Sequence, residues 1–303
     1  MNVEQACAIL EVNAFEVDRD GVNARAIYST ACLMAHDCVP NTVCSIDDQN
    51  RMTVKAAVAI SCGSMITTSY TFTLDCTQRR RQHLKETKFF DCLCQRCCDA
   101  TELSTHLSSL TCPKCCDGVV VPEEPSNDDT AWTCLNDCSF RMSGQQVNRI
   151  LDSLQFKADS LNYDDVTGLE AFIEKWSKLL HPNNSIVIGV KYYLCLLYGN
   201  VAEYLLDEMP DALVRRKIAL CKELLDIASI LEPGCSKLNG NPSVNQFNLK
   251  LFRLIDTHRC YCISLADNLQ FELKQAEAVQ NQRLAANQQK HDSNSNELDE
   301  TLT

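Results

Sequence analysis

The stretch CLCQRC, residues 92–97, places three cysteines at short spacing in a polar part of the chain. Three thiolates this close together can fill three corners of a zinc tetrahedron, so the fourth ligand has to come from elsewhere in the fold. The favoured fourth ligand is Cys38, in the upstream stretch HDCVPN, residues 36–41. Cys98 is the rival, although the side chains of neighbours such as Cys97 and Cys98 do not easily reach one ion. The pattern predicts a closed, structural zinc site of Cys38, Cys92, Cys94 and Cys97.

A second group of cysteines follows about fifteen residues later. Cys112 and Cys115 form one short pair, and Cys134 and Cys138 form another about twenty residues on. Two such pairs are the layout of a zinc ribbon. The alternative is a flexible insertion with incidental cysteines. The ribbon is favoured, although the spacing of Cys134 and Cys138 is not the most common one.

The composition limits the class of protein. The chain has 303 residues, a net charge of −12 and 20 cysteines. Excess negative charge disfavours direct nucleic-acid binding and leaves a Lys/Arg-rich protein tail as a possible partner. No basic, apolar leader precedes the cysteines, which argues against a secreted disulfide scaffold. No run of 18 apolar residues is present, so no membrane span is predicted. We therefore expect an intracellular protein, cytoplasmic or nuclear, whose clustered cysteines bind metal.

Residues 1–75 are predicted to be rich in β-strands. Alternating apolar residues favour strands over residues 9–17, 42–46 and 51–60, and residues 47–50 have hairpin-turn chemistry. A second turn at residues 62–64 leads into the run Met65 to Tyr70. Residues 88–140 show little regular pattern.

A short helix is predicted from Gln78 to Thr87, with Thr77 as its cap. It carries three consecutive arginines, residues 79–81. Because the chain is acidic overall, these arginines are interpreted as a solvated face and not as a nucleic-acid patch.

From about residue 145 the apolar spacing becomes helical. Val166 to Leu180 forms one apolar face, with Asp164 or Asp165 as the cap. Similar stripes run over residues 186–206, 214–228 and about 244–273. Short connections predict antiparallel helices, and the period of roughly 30–35 residues suggests a tetratricopeptide-like stack. The polar tail from Asn281 is predicted to be disordered.

In this order, the motifs resemble the second half of the SET fold followed by its post-SET cysteines. The stretch from Met34 to Asn41 resembles the family's Asn-His-Ser-Cys-x-Pro-Asn motif. The stretch from Val58 to Tyr70 resembles its strand–turn–strand that ends in the active-site tyrosine, and Phe90 to Cys97 resembles Phe-x-Cys-x-Cys-x2-Cys. With the helical second half, the chain is similar to the SET and MYND domain family of protein-lysine methyltransferases, in its arthropod-type branch.

The resemblance implies a function and a set of roles. Cys38 would share one zinc with the three downstream cysteines, His36 and Phe90 would contact S-adenosylmethionine, and Tyr70 would contact the cofactor and line the channel for the target lysine. The substrate would be a protein, a histone tail or another lysine-containing protein, and the resemblance implies an association with chromatin. A lysine amine has a pKa of ~10.4 and must lose its proton before it accepts a methyl group, which a dry aromatic channel favours. The oligomeric state does not follow from the sequence.

The chain also departs from the family's pattern. Ala35 stands where the family has Asn, Asp37 where it has Ser, and Lys88 where many relatives place a second channel tyrosine. The family's N-terminal SET strands and MYND zinc module find no counterpart, which predicts weak cofactor binding. A non-catalytic, zinc-stabilised protein-interaction module is therefore the alternative function. An oxidised secreted scaffold is a third, weaker one.

The predicted fold class is α+β: the C-terminal half of a β-rich SET fold with its post-SET zinc site, a cysteine-rich ribbon and an all-α domain. The predicted boundaries are 1–75 for the SET half, 76–100 for the zinc segment, 101–144 for the ribbon, 145–280 for the helical domain and 281–303 for the tail.

Overall fold

A computed structural model describes residues 2–19, 22–136, 138–234 and 265–300. The fold is α+β, as predicted. The helices are α1 (Val3–Asn13), α2 (Thr77–Lys88), α3 (Gln95–Cys98), α4 (Gly144–Asp159), α5 (Val166–Trp176), α6 (Ser185–Leu197), α7 (Asp211–Leu231) and α8 (Leu265–Glu300). The strands are β1 (Phe15–Arg19), β2 (Val22–Ala26), β3 (Ala35–His36), β4 (Thr42–Ile46), β5 (Met52–Ala56), β6 (Thr67–Thr68), β7 (Leu110–Thr111), β8 (Val119–Pro122), β9 (Ala131–Cys134) and β10 (Arg141–Ser143).

The first part of the chain contains three two-stranded sheets. Strands β1 and β2 pair antiparallel, as do β4 and β5, whereas β3 and β6 pair in parallel with His36 opposite Thr68. The predicted hairpin turn joins β4 to β5: the Asp47 carboxylate accepts from the backbone N–H groups of Gln49 and Arg51. Asn50 has a φ of 58°, which asparagine tolerates better than most residues. This part brings the upstream motif beside Tyr70.

The predicted strand over residues 9–17 is wrong for most of its length. Residues Val3–Asn13 form helix α1, and a strand begins only at Phe15. The helix starts with a capping box, in which Asn2 and Gln5 satisfy each other's backbone N–H groups. A short apolar run does not distinguish strand from helix, and the cap decides the outcome here.

Helix α2 corrects the interpretation of the arginine triplet. Arg79 is exposed as expected, but Arg80 is 0% exposed and Arg81 is 7% exposed. Burying a guanidinium is tolerated only when its N–H groups find acceptors. Arg81 donates through Nη1 and Nη2 to the backbone carbonyls of Cys92 and Ser126, whereas its Nε has no partner within the described part of the chain. The partners of Arg80 are described below. The prediction of a solvated face is therefore wrong for Arg80 and Arg81.

The segment that carries the two downstream cysteine pairs is more regular than its sequence indicates. Strands β7 to β10 form a four-stranded antiparallel sheet in the order β10-β9-β8-β7. Trp132 on β9 is 1% exposed and joins the main hydrophobic core. The sheet packs against α4, which begins at a capping box of Ser143 and Gln146.

The second half of the described chain is helical, as predicted. Helix α5 starts at Asp165, whose carboxylate accepts from the backbone N–H of Gly168 and which is thus the cap of the two candidates. Helices α5, α6, α7 and α8 pack in sequence around a core that includes Leu169, Leu194 and Leu224. The beginning of the fourth predicted helical stripe, about residue 244, lies outside the described residues. Whether the helices form a tetratricopeptide-like stack stays a prediction.

The prediction of a disordered tail is wrong for residues 281–300, which continue helix α8 to Glu300. Residues 265–300 contain neither proline nor glycine and are rich in alanine, glutamine, glutamate and leucine, which favour the helix. Arg283 also donates to the backbone carbonyls of Leu206 and Met209 and pairs with Asp211 at the start of α7. Residues 301–303 lie outside the described part.

Candidate functional site

The structure brings together the sulfurs of Cys38, Cys92, Cys94 and Cys97, hereafter the first cysteine cluster. The Cys38 sulfur lies 4.0 Å from that of Cys92 and 3.5 Å from that of Cys97. Zn–S bonds of about 2.3 Å in a tetrahedron require sulfurs about 3.8 Å apart, so the spacing fits zinc. A disulfide would need about 2.05 Å. The rival ligand Cys98 is exposed and lies outside the cluster.

The four cysteines of this cluster lie in three different parts of the secondary structure. Cys38 follows the short strand β3, Cys92 and Cys94 lie in the loop after α2, and Cys97 lies in the single turn of α3. Leu84 of α2, which is 0% exposed, packs against the sulfurs. The fold therefore joins residues 54 positions apart around a buried centre.

Without a cation the four thiols conflict with one another. The interaction of Cys38 with Cys92 is the main cause that raises the pKa of Cys38, and the interaction of Cys94 with Cys38 is the main cause that lowers the pKa of Cys94. Divalent zinc removes this conflict because it binds all four as thiolates. The set of donors therefore fits the metal that the sequence predicts.

His36 connects this cluster to Tyr70. Its Nδ1 accepts from the backbone N–H of Tyr70 at 3.0 Å, which leaves Nε2 as the donor to the Cys38 sulfur at 3.2 Å. Burial is the main cause that lowers the pKa of His36 to about 4, so the ring is neutral at physiological pH. A neutral imidazole with a defined tautomer thus holds the Tyr70 backbone against a cluster ligand.

Tyr70, His36 and Phe90 form a half-buried aromatic cluster. The ring of His36 lies 5.2 Å from that of Tyr70 and 5.9 Å from that of Phe90, measured between centroids. The Tyr70 hydroxyl donates to the carbonyl of Met34. The Lys88 ammonium lies 5.6 Å from the centre of the Tyr70 ring and donates to the carbonyl of Val12. The three side chains expected to contact S-adenosylmethionine therefore lie together, and that contact stays a prediction.

Sequence reasoning missed a buried ionic cluster beside the cysteines. Glu102, which is 1% exposed, pairs with Arg80 at 2.7 Å and with Arg96 at 3.0 Å. It also accepts from the backbone N–H of Thr77 at 3.0 Å and from the hydroxyl of Ser108. Burial alone would raise the pKa of Glu102, but the two arginines outweigh it and lower the pKa to about 2.

A left-handed turn delivers Glu102 to this position. Glu102, Leu103 and Ser104 have φ values of 51°, 60° and 64°, which non-glycine residues adopt at a cost. The Asp99 carboxylate accepts from the backbone N–H groups of Thr101 and Leu103 and holds the turn. No spacing rule predicts such a turn, so no sequence signal pointed to Glu102.

The second cysteine cluster comprises Cys112, Cys115, Cys134 and Cys138, which the structure also brings together. The sulfurs of Cys112 and Cys138 lie 3.5 Å apart, and those of Cys115 and Cys134 lie 3.7 Å apart, which again fits zinc. Burial would raise the pKa of Cys112, but backbone N–H groups of Cys115 and Lys114 lower it to about 7.

Gly118 is a further residue of the second cluster that the sequence did not reveal. A Cβ atom at this position would lie 2.5 Å from the sulfur of Cys134 and 2.6 Å from that of Cys115. A side chain at position 118 would therefore collide with the two sulfurs. The close approach of the backbone to these sulfurs thus requires glycine.

Comparisons with known proteins identify relatives over part of the chain. No protein-family model matches it. SET domain-containing protein SmydA-8 of Drosophila melanogaster is similar: isoform B is 37% identical over 134 residues, 43% of this chain and 30% of that protein. Isoform A is 36% identical over 132 residues, 42% of this chain and 29% of that protein. The SET domain-containing protein L678 of Acanthamoeba polyphaga mimivirus is 32% identical over 91 residues, 30% of this chain and 34% of that protein.

These matches confirm the resemblance to SET-domain proteins of the SmydA type that the motifs indicated. The matched part spans about a third of the length of these relatives. Among the helices of the described ranges, none combines the length and the apolar character needed to cross a bilayer.

Proposed function

We propose that this chain, a relative of SET-domain proteins, contributes the C-terminal half of a protein-lysine methyltransferase site that zinc holds together. The observation that carries the proposal is the imidazole of His36, which binds the Tyr70 backbone with one nitrogen and the Cys38 sulfur with the other. The residue with the proposed catalytic role is thereby fixed to a proposed metal ligand. A zinc ion at the first cysteine cluster would hold both.

Zinc in both clusters is proposed to be structural. Four sulfur ligands close the coordination shell and leave no position for water or substrate. The first cluster would fix residues 38 and 92–97 relative to each other, and the second would fix the sheet of β7 to β10. Zinc supplies binding energy for folding here and no acid–base chemistry.

S-adenosylmethionine, when bound, supplies the methyl group. The proposed role of Tyr70, which follows strand β6, is to orient the target amine, since its hydroxyl is already fixed by the Met34 carbonyl. His36 and Phe90 would pack against the cofactor with their rings. Because transfer needs an amine in line with the methyl group, orientation is the main contribution of these residues. The substrate would be a lysine-containing protein, a histone tail among the candidates, in the cytoplasm or nucleus.

Zinc content tests the metal part of the proposal. Elemental analysis of purified protein should give two zinc ions per chain. Cys97→Ser should retain one, whereas Cys98→Ser, which changes an exposed neighbour outside the cluster, should retain two. For the second cluster, Cys115→Ser should likewise retain one zinc ion, and Cys116→Ser, which changes an exposed neighbour outside the cluster, should retain two. Protein that folds without zinc, or equal loss in both members of a pair, would contradict the assignment.

Cofactor binding tests the enzymatic part. Titration calorimetry should detect S-adenosylmethionine binding to the wild type and to Tyr70→Phe, because the ring remains. Methyl transfer to a lysine-rich peptide should fall at least about tenfold in Tyr70→Phe, the loss expected when an orienting hydrogen bond is removed. Tyr28→Phe is the control, since the Tyr28 hydroxyl donates to the backbone carbonyl of Asn50 in the turn between β4 and β5. No binding heat would end the enzymatic proposal for this chain.

The second candidate is a non-catalytic, zinc-stabilised protein-interaction module. The position of Lys88 favours it, because its ammonium lies 5.6 Å from the centre of the Tyr70 ring, which would line the proposed lysine channel. This alternative predicts zinc in both clusters together with no calorimetric response to S-adenosylmethionine. The two measurements above therefore separate the two functions.

A further inference from the structure

All five N–H groups of the Arg80 guanidinium have acceptors, and two of these acceptors are sulfurs of the first cysteine cluster. Nε donates to Cys38 at 3.3 Å, and one Nη2 hydrogen points to Cys97 at 3.6 Å. The remaining three N–H groups donate to the Asp75 carbonyl, the Glu102 carboxylate and the Thr77 hydroxyl. A planar fork with five fixed donors meets these five acceptors, which a lysine could not do.

The charge of the site explains why an arginine is buried here. Four thiolates around a divalent cation retain two negative charges, and three of the four cysteines are buried. A buried charge is stable only when it is paired. Arg80 is the cation that contacts the sulfurs, and Glu102 then balances Arg80 and Arg96. Without Arg80, the charge of the metal centre would face a low-dielectric interior.

From this geometry we propose that Arg80 is a positioning residue of the first zinc centre. Its guanidinium orients the Cys38 and Cys97 thiolates and offsets their charge, and it thereby slows the loss of zinc. The second cysteine cluster lacks such a partner among the described residues. Its side-chain donor is the Asn136 amide, 3.8 Å from Cys115, and three of its cysteines are partly exposed. The two zinc ions should therefore leave the protein at different rates.

Arg96 provides a matched control. It is as deeply buried as Arg80 and pairs with the same Glu102 oxygen, but its other donors bind the carbonyls of Thr73 and Asp75 and not a sulfur. Arg96→Gln thus removes the same charge from the same ionic cluster without removing an N–H···S contact. Arg79→Gln removes an exposed charge from the same helix.

The experiment is the rate of zinc transfer from the folded holoprotein to a chromogenic chelator. The wild type should give a fast and a slow phase, and the slow phase should survive in Cys115→Ser. Arg80→Gln should accelerate the slow phase by about 10- to 100-fold, the usual effect of losing a partner of a metal ligand. The fast phase should not change, and Arg96→Gln and Arg79→Gln should leave the slow phase within about threefold of the wild type.

A second readout is independent of stability. In cobalt-substituted protein, the sulfur-to-metal charge-transfer band should shift in Arg80→Gln and stay unchanged in Arg96→Gln. If Arg80→Gln does not fold, Arg80→Lys is compared with Arg96→Lys by the same two readouts. Equal acceleration in the Arg80 and Arg96 variants, or no acceleration in either, would overturn the inference.

The inference rests on the proposed zinc site, but the two fail differently. A wild-type protein without zinc in the first cluster would refute both. Zinc at full occupancy with no difference between the Arg80 and Arg96 variants would refute only the role of Arg80.

Discussion

Replacing Glu102 by glutamine should lower the free energy of unfolding by about 3–5 kcal/mol, because it leaves the buried guanidinium of Arg96 without a carboxylate partner and removes one of the anionic partners of Arg80. The substitution keeps the shape of the side chain and removes its charge. Arg80 and Arg96 both pair with Glu102, and all three side chains are at most 1% exposed. Solvent therefore cannot replace the lost carboxylate.

The pKa of Glu102 gives an independent value for this effect. A decrease from the ordinary value of 4.5 to about 2 corresponds to about 3 kcal/mol at about 1.4 kcal/mol per pKa unit. Since the pKa is lower in the folded state, the stabilisation is fully present above pH 4.5 and is lost as the pH falls towards 2. The two values agree in order of magnitude.

Urea unfolding at neutral pH, followed by circular dichroism in the presence of zinc, measures the effect. Glu123→Gln is the matched control, since Glu123 forms a two-point ion pair with Arg141 at 2.5 and 2.8 Å but both side chains are well exposed. Exposed pairs contribute about 0–1 kcal/mol. A loss in Glu102→Gln no larger than that in Glu123→Gln would refute the reasoning about burial.

Two further predictions concern single residues. Ser104→Gly should raise the free energy of unfolding by about 0.5–1 kcal/mol, because Ser104 is exposed and has a φ of 64°, and Ser104→Ala should not raise it; urea midpoints check both. Burial and the neighbouring His106 lower the pKa of His181 to about 4, so the unfolded chain binds a proton there between pH 6.5 and 4 and the folded chain does not. The free energy of unfolding of the wild type should therefore exceed that of His181→Asn by a margin that shrinks as the pH falls through this range. Asparagine is chosen because it keeps an acceptor for the backbone N–H of Asn183. A difference in the free energy of unfolding that does not change with pH would contradict the lowered pKa of His181.

The parts of the fold that depend on local chemistry could be predicted. The turn at residues 47–50 follows from Asp47 and Asn50, and the helices after residue 145 follow from their apolar period and from caps such as Asp165. The members of both cysteine clusters follow from spacing because metal ligands have to converge. The turn and the caps join neighbours in sequence, whereas each cysteine cluster joins closely spaced ligands to partners farther along the chain, such as Cys92 to Cys38, 54 positions away.

The parts that depend on long-range contacts could not be predicted. Three consecutive arginines on one helix look equivalent in the sequence, and the buried acceptors of Arg80, Glu102 and the cluster sulfurs among them, are visible only in the fold. Glu102 in turn reaches its position through a left-handed turn that its own sequence disfavours. The surrounding contacts impose this conformation, so it does not exist as a local preference.

The separation of the two cysteine clusters along the chain has a consequence for refolding kinetics. The first cluster closes a loop between residues 54 positions apart, whereas the second closes loops of 26 and 19 positions. The entropy lost in closing the longer loop is greater by about 0.6–0.9 kcal/mol, a factor of about three to five in the closing equilibrium. When a denatured chain refolds with less zinc than the two clusters need, zinc should therefore bind the second cysteine cluster first. The segment that carries Cys38 should be the last to reach its metal site.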